Sequence, residues 1–247
     1  MASFRPSGRG ANRYNPRAMS FDVPYTDLAA ESCELAPELH EALDRVLRSG
    51  RLILGPELSA FESEFADYCG VRYAVGTSSG TSALVLTLKA LDLPAGAEVI
   101  TVPNSFVATA AAVVLAGAVP VFADIGDDGN MDPSSLEACL TPRTRAILPV
   151  HLAGRPARMK EILAIAGRRG LPVIEDAAQA VGAAIDGVRV GGFGLAGCFS
   201  LNPLKNLYAY GDGGVITTND ERLASRLRSA RSHGLSDRET CAFFSEN

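Results

Sequence analysis

Residues 146–176 read AILPVHLAGRPARMKEILAIAGRRGLPVIED. Two short apolar runs, 146–150 and 173–175, have the length of strands, and the stretch between them, 157–168, carries its apolar residues at helical spacing. A strand, a helix and a second strand in that order are the repeating unit of a sheet with helices on its faces. The same unit recurs on both sides. Further strands are expected at 73–75, 98–102, 119–123, 198–199 and 214–217, and helices at 82–91, 107–115, 133–140 and 221–232. Ahead of them, Pro37 opens a helical pattern carrying Leu39, Leu43, Val46 and Leu47 that Gly50 ends. A second pattern follows in Leu58, Phe61, Phe65 and Tyr68 before Gly70. Both are expected to cover another layer. Residues 1–22, rich in Gly, Pro, Arg, Asn and Ser without periodicity, read as a flexible extension, so that 23–247 form the domain.

Composition narrows the function classes. With 247 residues, 47% of them hydrophobic, the chain is long enough to bury one or two substantial cores. A formal charge of -5 leaves no broad cationic surface for nucleic acid, although a local anion pocket remains open. The cysteines, Cys33, Cys69, Cys139, Cys198 and Cys241, lie far apart, which argues for reduced thiols in the cytoplasm over a zinc knuckle or a disulfide framework. The apolar run at 106–115 is too short to cross a bilayer, and the polar opening has no apolar core of a signal peptide. The expectation is a cytoplasmic protein with no membrane or nucleic-acid partner.

In open α/β sheets ligands collect beyond the carboxyl ends of the strands, which singles out three places. Gly76-Thr77-Ser78-Ser79-Gly80-Thr81-Ser82 leads from a strand into a helix; small residues and exposed amides at a helix start favour a phosphate, while a plain Ser/Thr-rich helix cap is the ordinary alternative. It lacks the Gly-Lys-Ser/Thr ending of a nucleotide P-loop. Asp176 ends a strand expected to be buried on both faces, where a carboxylate needs a cationic or hydrogen-bonding partner, and Gln179 follows on the same short element. Lys205 lies between a strand end with Ser200 and the glycine-rich return Gly211-Asp212-Gly213-Gly214; alone it reads as a solvated charge. Together, an anion cradle, an acid and an amine match pyridoxal phosphate: phosphate at one end, ring nitrogen facing the acid, aldehyde captured by lysine.

The chain from about residue 23 to 247 resembles the sugar aminotransferases of the DegT/DnrJ/EryC1/StrS family. The resemblance is carried by SGRLILGP (49–56), SSGTSAL (78–84), VPNSFVAT (102–109), PVFADI (120–125), PVHLAGRPA (149–157), VIEDAAQAVGA (173–183) and FSLNPLKNLYAYGDGGVITTND (199–220). It implies the large domain of the pyridoxal-phosphate-dependent aspartate-aminotransferase fold, a three-layer sandwich around a mostly parallel sheet. Lys205 matches the lysine that binds the cofactor covalently and later shuttles the proton. Asp176 matches the acid on the pyridine nitrogen, Gln179 the residue facing the cofactor hydroxyl, and Phe106 the aromatic stacked on the ring. Gly80, Thr81 and Ser200 match the phosphate cradle, and Asn247 the asparagine that crosses a dimer interface to the neighbour's phosphate. His151 resembles the family's VHLxG histidine and borders the pocket without a clear chemical role.

What the resemblance implies is ping-pong transfer of an amino group from L-glutamate or L-glutamine to a keto sugar, commonly nucleotide-linked, or to a keto cyclitol, in a homodimer with shared active sites. Lys205 favours this over the dehydratase branch, which has histidine there. Family members run on through a small C-terminal domain, so a truncated cofactor-binding protein with little turnover is the alternative. Gly191-Gly192-Phe193-Gly194 and the acidic stretch 124–132 read as turns rather than as dinucleotide or calcium sites. Arg231, His233 and Arg238 are expected to be surface charges, or else to meet an anion near a subunit boundary.

Overall fold

The computed structural model describes residues 26–235. The chain divides into two units, 1–41 and 42–247. In the first lies α1 (Leu28–Glu34), capped by the Asp27 carboxylate, which accepts from Ala30 N–H at 3.0 Å. The helix α2 (Ala36–Ser49) starts there as well. The expected extension 1–22 lies outside the described residues.

The second unit runs α3 (Pro56–Cys69), β1 (Tyr73–Thr77), α4 (Gly80–Lys89), β2 (Glu98–Thr101), α5 (Val107–Leu115), β3 (Val119–Phe122), α6 (Pro133–Cys139), β4 (Thr144–Ile147), α7 (Met159–Arg169), β5 (Ile174–Asp176), β6 (Ala184–Ile185), β7 (Val188–Arg189), β8 (Ala196–Ser200), β9 (Gly214–Thr218) and α8 (Glu221–Ala230). Strands β3, β2 and β4 pair in parallel, and β5, β8, β9 and β1 form a second ladder. Two parallel bridges, Ile147 to Val173 and Val150 to Asp176, join them. The resulting order is β3-β2-β4-β5-β8-β9-β1, with β9 antiparallel to both its neighbours and β5 parallel to β8. The mostly parallel sheet expected from the sequence is therefore present.

Consecutive strand residues enter different cores, which is why the strands read as unbroken apolar runs. Val75, Val99, Leu148, Ile174, Cys198 and Ile216 pack with Leu84 and Leu88 of α4 and Leu227 of α8. Their neighbours Ile100, Ile147 and Val173 pack with Met159 and Ile162 of α7. Ala74, Phe199 and Val215 meet Phe65 and Ala66 of α3, with the Phe65 and Phe199 rings edge to face at 5.1 Å. Three layers follow, and each fully buried Leu or Ile contributes about 1.5–3 kcal/mol.

Most boundaries differ from the sequence reading by one or two residues. Some differences are larger, among them α1, which has no counterpart in the sequence reading. The helix α2 leaves Leu43 and Leu47 more than half exposed, where the sequence reading has them on a covering face. The β6–β7 hairpin was not expected; it turns on Asp186 and Gly187, both at positive φ, the geometry that an Asp-Gly pair favours. Burial pushes the Cys69 thiol up to about 12 and raises Cys198 too, so neither is a nucleophile at neutral pH. No helix among the described residues is long and apolar enough to cross a membrane.

Candidate active site

Asp176 closes β5, and its backbone is fixed on the β4 side: its N–H donates to Pro149 O at 2.9 Å and its carbonyl accepts from His151 N–H at 3.0 Å. The side chain points to the α5 side of the sheet. There Thr109 donates its hydroxyl to Oδ2 at 2.7 Å, and Ala178 N–H donates to Oδ1 at 3.2 Å. Ser105 sits 2.8 Å behind the Thr109 hydroxyl, extending the chain of hydrogen bonds. Burial raises the Asp176 carboxyl above the ordinary carboxylate range; the Thr109 and Ala178 hydrogen bonds and the nearby Lys205 charge pull the other way.

The neighbouring acid, Glu175, faces the opposite side. Its Oε2 accepts from Gly191 N–H at 2.8 Å, and its Oε1 from Phe193 and Gly194 N–H at 2.9 and 2.8 Å. His151 completes the set at 3.0 Å. Because His151 Nδ1 accepts from Ala157 N–H at 2.9 Å, the ring proton belongs on Nε2, where it is donated to Glu175. His151 is fully buried in this structural network. Gly191-Gly192-Phe193-Gly194 is a turn, as expected, and its amides form a nest for an internal carboxylate.

The stretch expected to cradle an anion is at the start of α4. Ser79 caps the helix by accepting from Ser82 N–H at 3.0 Å, which leaves the Gly80 and Thr81 amides among the helix's unpaired first-turn donors. Gly80 lies against Ser200 at the end of β8: a Cβ on Gly80 would stand 2.6 Å from the Ser200 Cβ. Only glycine permits that approach.

Lys205 lies on the return loop between β8 and β9. Its N–H donates to Asn202 O at 2.8 Å, Leu201 N–H donates to Gly213 O at 2.8 Å, and Asn206 reaches Val181 O at 2.8 Å. The side chain is half-buried, and its charge acts on Asp176. Gln179 accepts from Ala153 N–H through Oε1 at 2.7 Å, so its NH₂ is the end left to donate. Phe106, at the position before α5, is 69% exposed and accepts from Thr109 N–H at 3.1 Å through its carbonyl.

The Lys205 charge is thus felt at Asp176, and Gly80 lies against Ser200. Asn247 and Arg238 lie outside the described residues. Arg231, expected at the surface, is instead mostly buried and paired with Glu62. The acidic stretch is a turn, closed by the Ile125–Met131 bridge, in which Asp132 caps α6. Sequence reasoning missed Thr109, although it lies in the quoted VPNSFVAT stretch one helical turn after Phe106. A cavity of about 1100 Å³ is lined by Thr81, Leu86, Leu201, Tyr208 and Arg231. Thr81 and Ser82 at the start of α4 belong to its lining, and Asp176 and Lys205 do not.

A family model described as the DegT/DnrJ/EryC1/StrS aminotransferase family matches residues 34–247. The chain is 48% identical over 213 residues to a UDP-N-acetyl-3-dehydro-α-D-glucosamine 3-aminotransferase of Acidithiobacillus ferrooxidans, covering 86% of this chain and 58% of the relative. The structure of S. venezuelae DesV in complex with a ketimine intermediate is similar at a TM-score of 0.88 and 45% identity, over 91% of this chain and 61% of that one. The structure of NtdA from Bacillus subtilis with bound cofactor PMP is similar at 0.85 and 35% identity, over 94% of this chain and 54% of that one. The chain therefore spans under two thirds of the length of each of these relatives.

Proposed function

The chain belongs to the DegT/DnrJ/EryC1/StrS aminotransferase family, and from that membership we propose that residues 23–247 are the pyridoxal-phosphate-binding large domain of a sugar transaminase. The observation that carries the reading is the buried Asp176 carboxylate, held by the Thr109 hydroxyl and the Ala178 N–H and within the field of the Lys205 charge. A carboxylate that burial disfavours in its charged form gains from a cation, and the protonated pyridine ring is one. The rest of the residue set fits the other groups of the cofactor: an anion cradle that only glycine allows, an amide with its NH₂ free for a phenolic oxygen, and an exposed aromatic ring.

In this proposal the Gly80 and Thr81 amides and the Ser200 hydroxyl bind the phosphate. Phe106 covers one face of the ring, Gln179 donates to its hydroxyl, and Asn247 belongs to the same phosphate site across a homodimer interface. Bound there, pyridoxal phosphate supplies an aldehyde that captures amines and a ring that withdraws electrons from the captured carbon. Asp176 holds a proton on the ring nitrogen, and Thr109 with Ser105 orients the carboxylate for it. Lys205 holds the aldehyde end and, once displaced by a substrate amine, moves a proton through its Nζ.

The amino donor in this reading is L-glutamate or L-glutamine and the acceptor a keto sugar, nucleotide-linked as in the Acidithiobacillus relative, or a keto cyclitol, with the two halves in ping-pong order. Such chemistry serves amino-sugar and antibiotic biosynthesis in the cytoplasm. Adding pyridoxal phosphate to the purified chain is expected to produce a visible absorption band that Lys205→Ala lacks, and the amino donor is expected to discharge it. A wild-type chain without the band contradicts the cofactor assignment. A band that no amino donor discharges favours cofactor binding with little turnover.

A further inference from the structure

Among the described residues the order of the sheet leaves β1 with one open edge, because β9 pairs only its other side. At Gly76, one residue before β1 ends, that open edge is closed by side chains. Gly76 N–H donates to Glu62 Oε1 at 2.7 Å, and Gly76 O accepts from Arg231 Nη1 at 3.1 Å. Arg231 Nη1 also pairs with Glu62 Oε1. Glu62 comes from α3 and Arg231 from the residue after α8, so the pair ties two helices to one peptide. Both side chains are mostly buried, at 10% and 13% exposure, and Arg231 Nε is buried without a partner among the described residues. A buried ion pair contributes little to stability compared with apolar side chains of the same size. This one is aimed at the strand end that leads into the cradle: Gly80 is four residues on, and in between Ser79 O presses against Gly214, where a Cβ would stand at 2.3 Å.

We propose that the Glu62–Arg231 pair is a positioning device for the phosphate cradle, holding the Gly76 peptide so that the Gly80 and Thr81 amides stand where a phosphate dianion meets them. The inference rests on the cofactor reading above. Arg231 also cancels the Glu62 charge, so no buried carboxylate is left uncompensated behind the anion. Neither residue touches the cofactor in this account. They act through the backbone of residues 76–79.

The experiment compares binding of pyridoxal phosphate with binding of pyridoxal, which has the aldehyde and ring but no phosphate. Both are titrated by absorbance in wild type and in the Glu62→Leu/Arg231→Met double variant, which removes the clamp without stranding a charge. The expected result is about a tenfold loss of pyridoxal phosphate affinity, the size of one or two lost polar contacts, with pyridoxal affinity kept within about twofold. The ³¹P resonance of the bound phosphate is expected to shift and broaden. Equal losses for the two ligands, or no loss, overturn the proposal. If the double variant does not fold, Arg231→Lys, which keeps the charge and loses the planar fork, carries the test with the same pair of ligands: a selective loss supports the clamp, and an equal or absent loss overturns it. A wild-type chain that binds neither ligand through Lys205 overturns the cofactor reading itself, and this inference with it. Wild-type binding with an unselective variant overturns the clamp alone.

Discussion

Glu175 and Asp176 are consecutive acids, both buried, and the two sides of β5 treat them in opposite ways. On one side Glu175 accepts from three backbone amides and His151. On the other, Asp176 has one hydroxyl, one amide and a lysine nearby, and its carboxyl stays raised. A carboxylate that the fold satisfies completely is part of the architecture. One that the fold supports partially has capacity for a cation, and that is where chemistry fits.

The sharpest way to break this comparison is Glu175→Ala, which strands three amides and the His151 N–H. It is expected to cost about 3–5 kcal/mol in urea unfolding, as for removal of one partner from a buried charged network. Asp176→Asn is expected to do the reverse, lowering amino transfer by about 10²-fold or more while sparing the fold. Its stability effect has a definite sign. Burial lifts the folded carboxyl above its ordinary value of 3.8, so the folded chain holds that proton more tightly than the unfolded chain does. The stability this contributes is complete below the ordinary value and is lost as pH rises through the raised one. Without cofactor, Asp176→Asn is therefore expected to gain on wild type in denaturant midpoint as pH rises from 4 toward 8. A variant-minus-wild-type difference in midpoint that falls over that window contradicts the raised carboxyl.

Two smaller changes sharpen the contrast. Gly80→Ala forces a methyl into Ser200 and is expected to cost about 1–3 kcal/mol of stability together with phosphate-dependent cofactor affinity, read by calorimetry and absorbance titration. Thr109→Val removes the hydroxyl from Asp176 and is expected to cost about 1 kcal/mol and to move the carboxyl further up, seen as a rightward shift of the acid limb of the pH–rate profile.

The difference between the two sides of β5 also measures what a sequence discloses. The apolar runs disclosed the strands, because both faces of the sheet are buried, and glycine with hydroxyls ahead of a helical run disclosed the start of α4. Asp176 drew notice from its place at the end of a strand, and Lys205 from the loop after one and from the family pattern. Roles created by contacts between distant residues were not. Thr109 meets Asp176 across 67 positions, and Arg231 meets Glu62 across 169. Nothing local marks either pairing, since a threonine early in a helix and an arginine after one are ordinary. The hairpin at Asp186-Gly187 did have a local mark, but its two-residue strands are too short for alternation to be read. The stripe on α2 is the converse case, an amphipathic pattern whose Leu43 and Leu47 are more than half exposed.

The most direct test of the central claim is to load the chain with pyridoxal phosphate, reduce it with borohydride and map the label by peptide mass. The label is expected on Lys205, and not on Lys89 or Lys160, and it is expected to be abolished by Lys205→Ala. Label on Lys89 or Lys160, or none at all, would contradict a site built around Asp176 and Lys205.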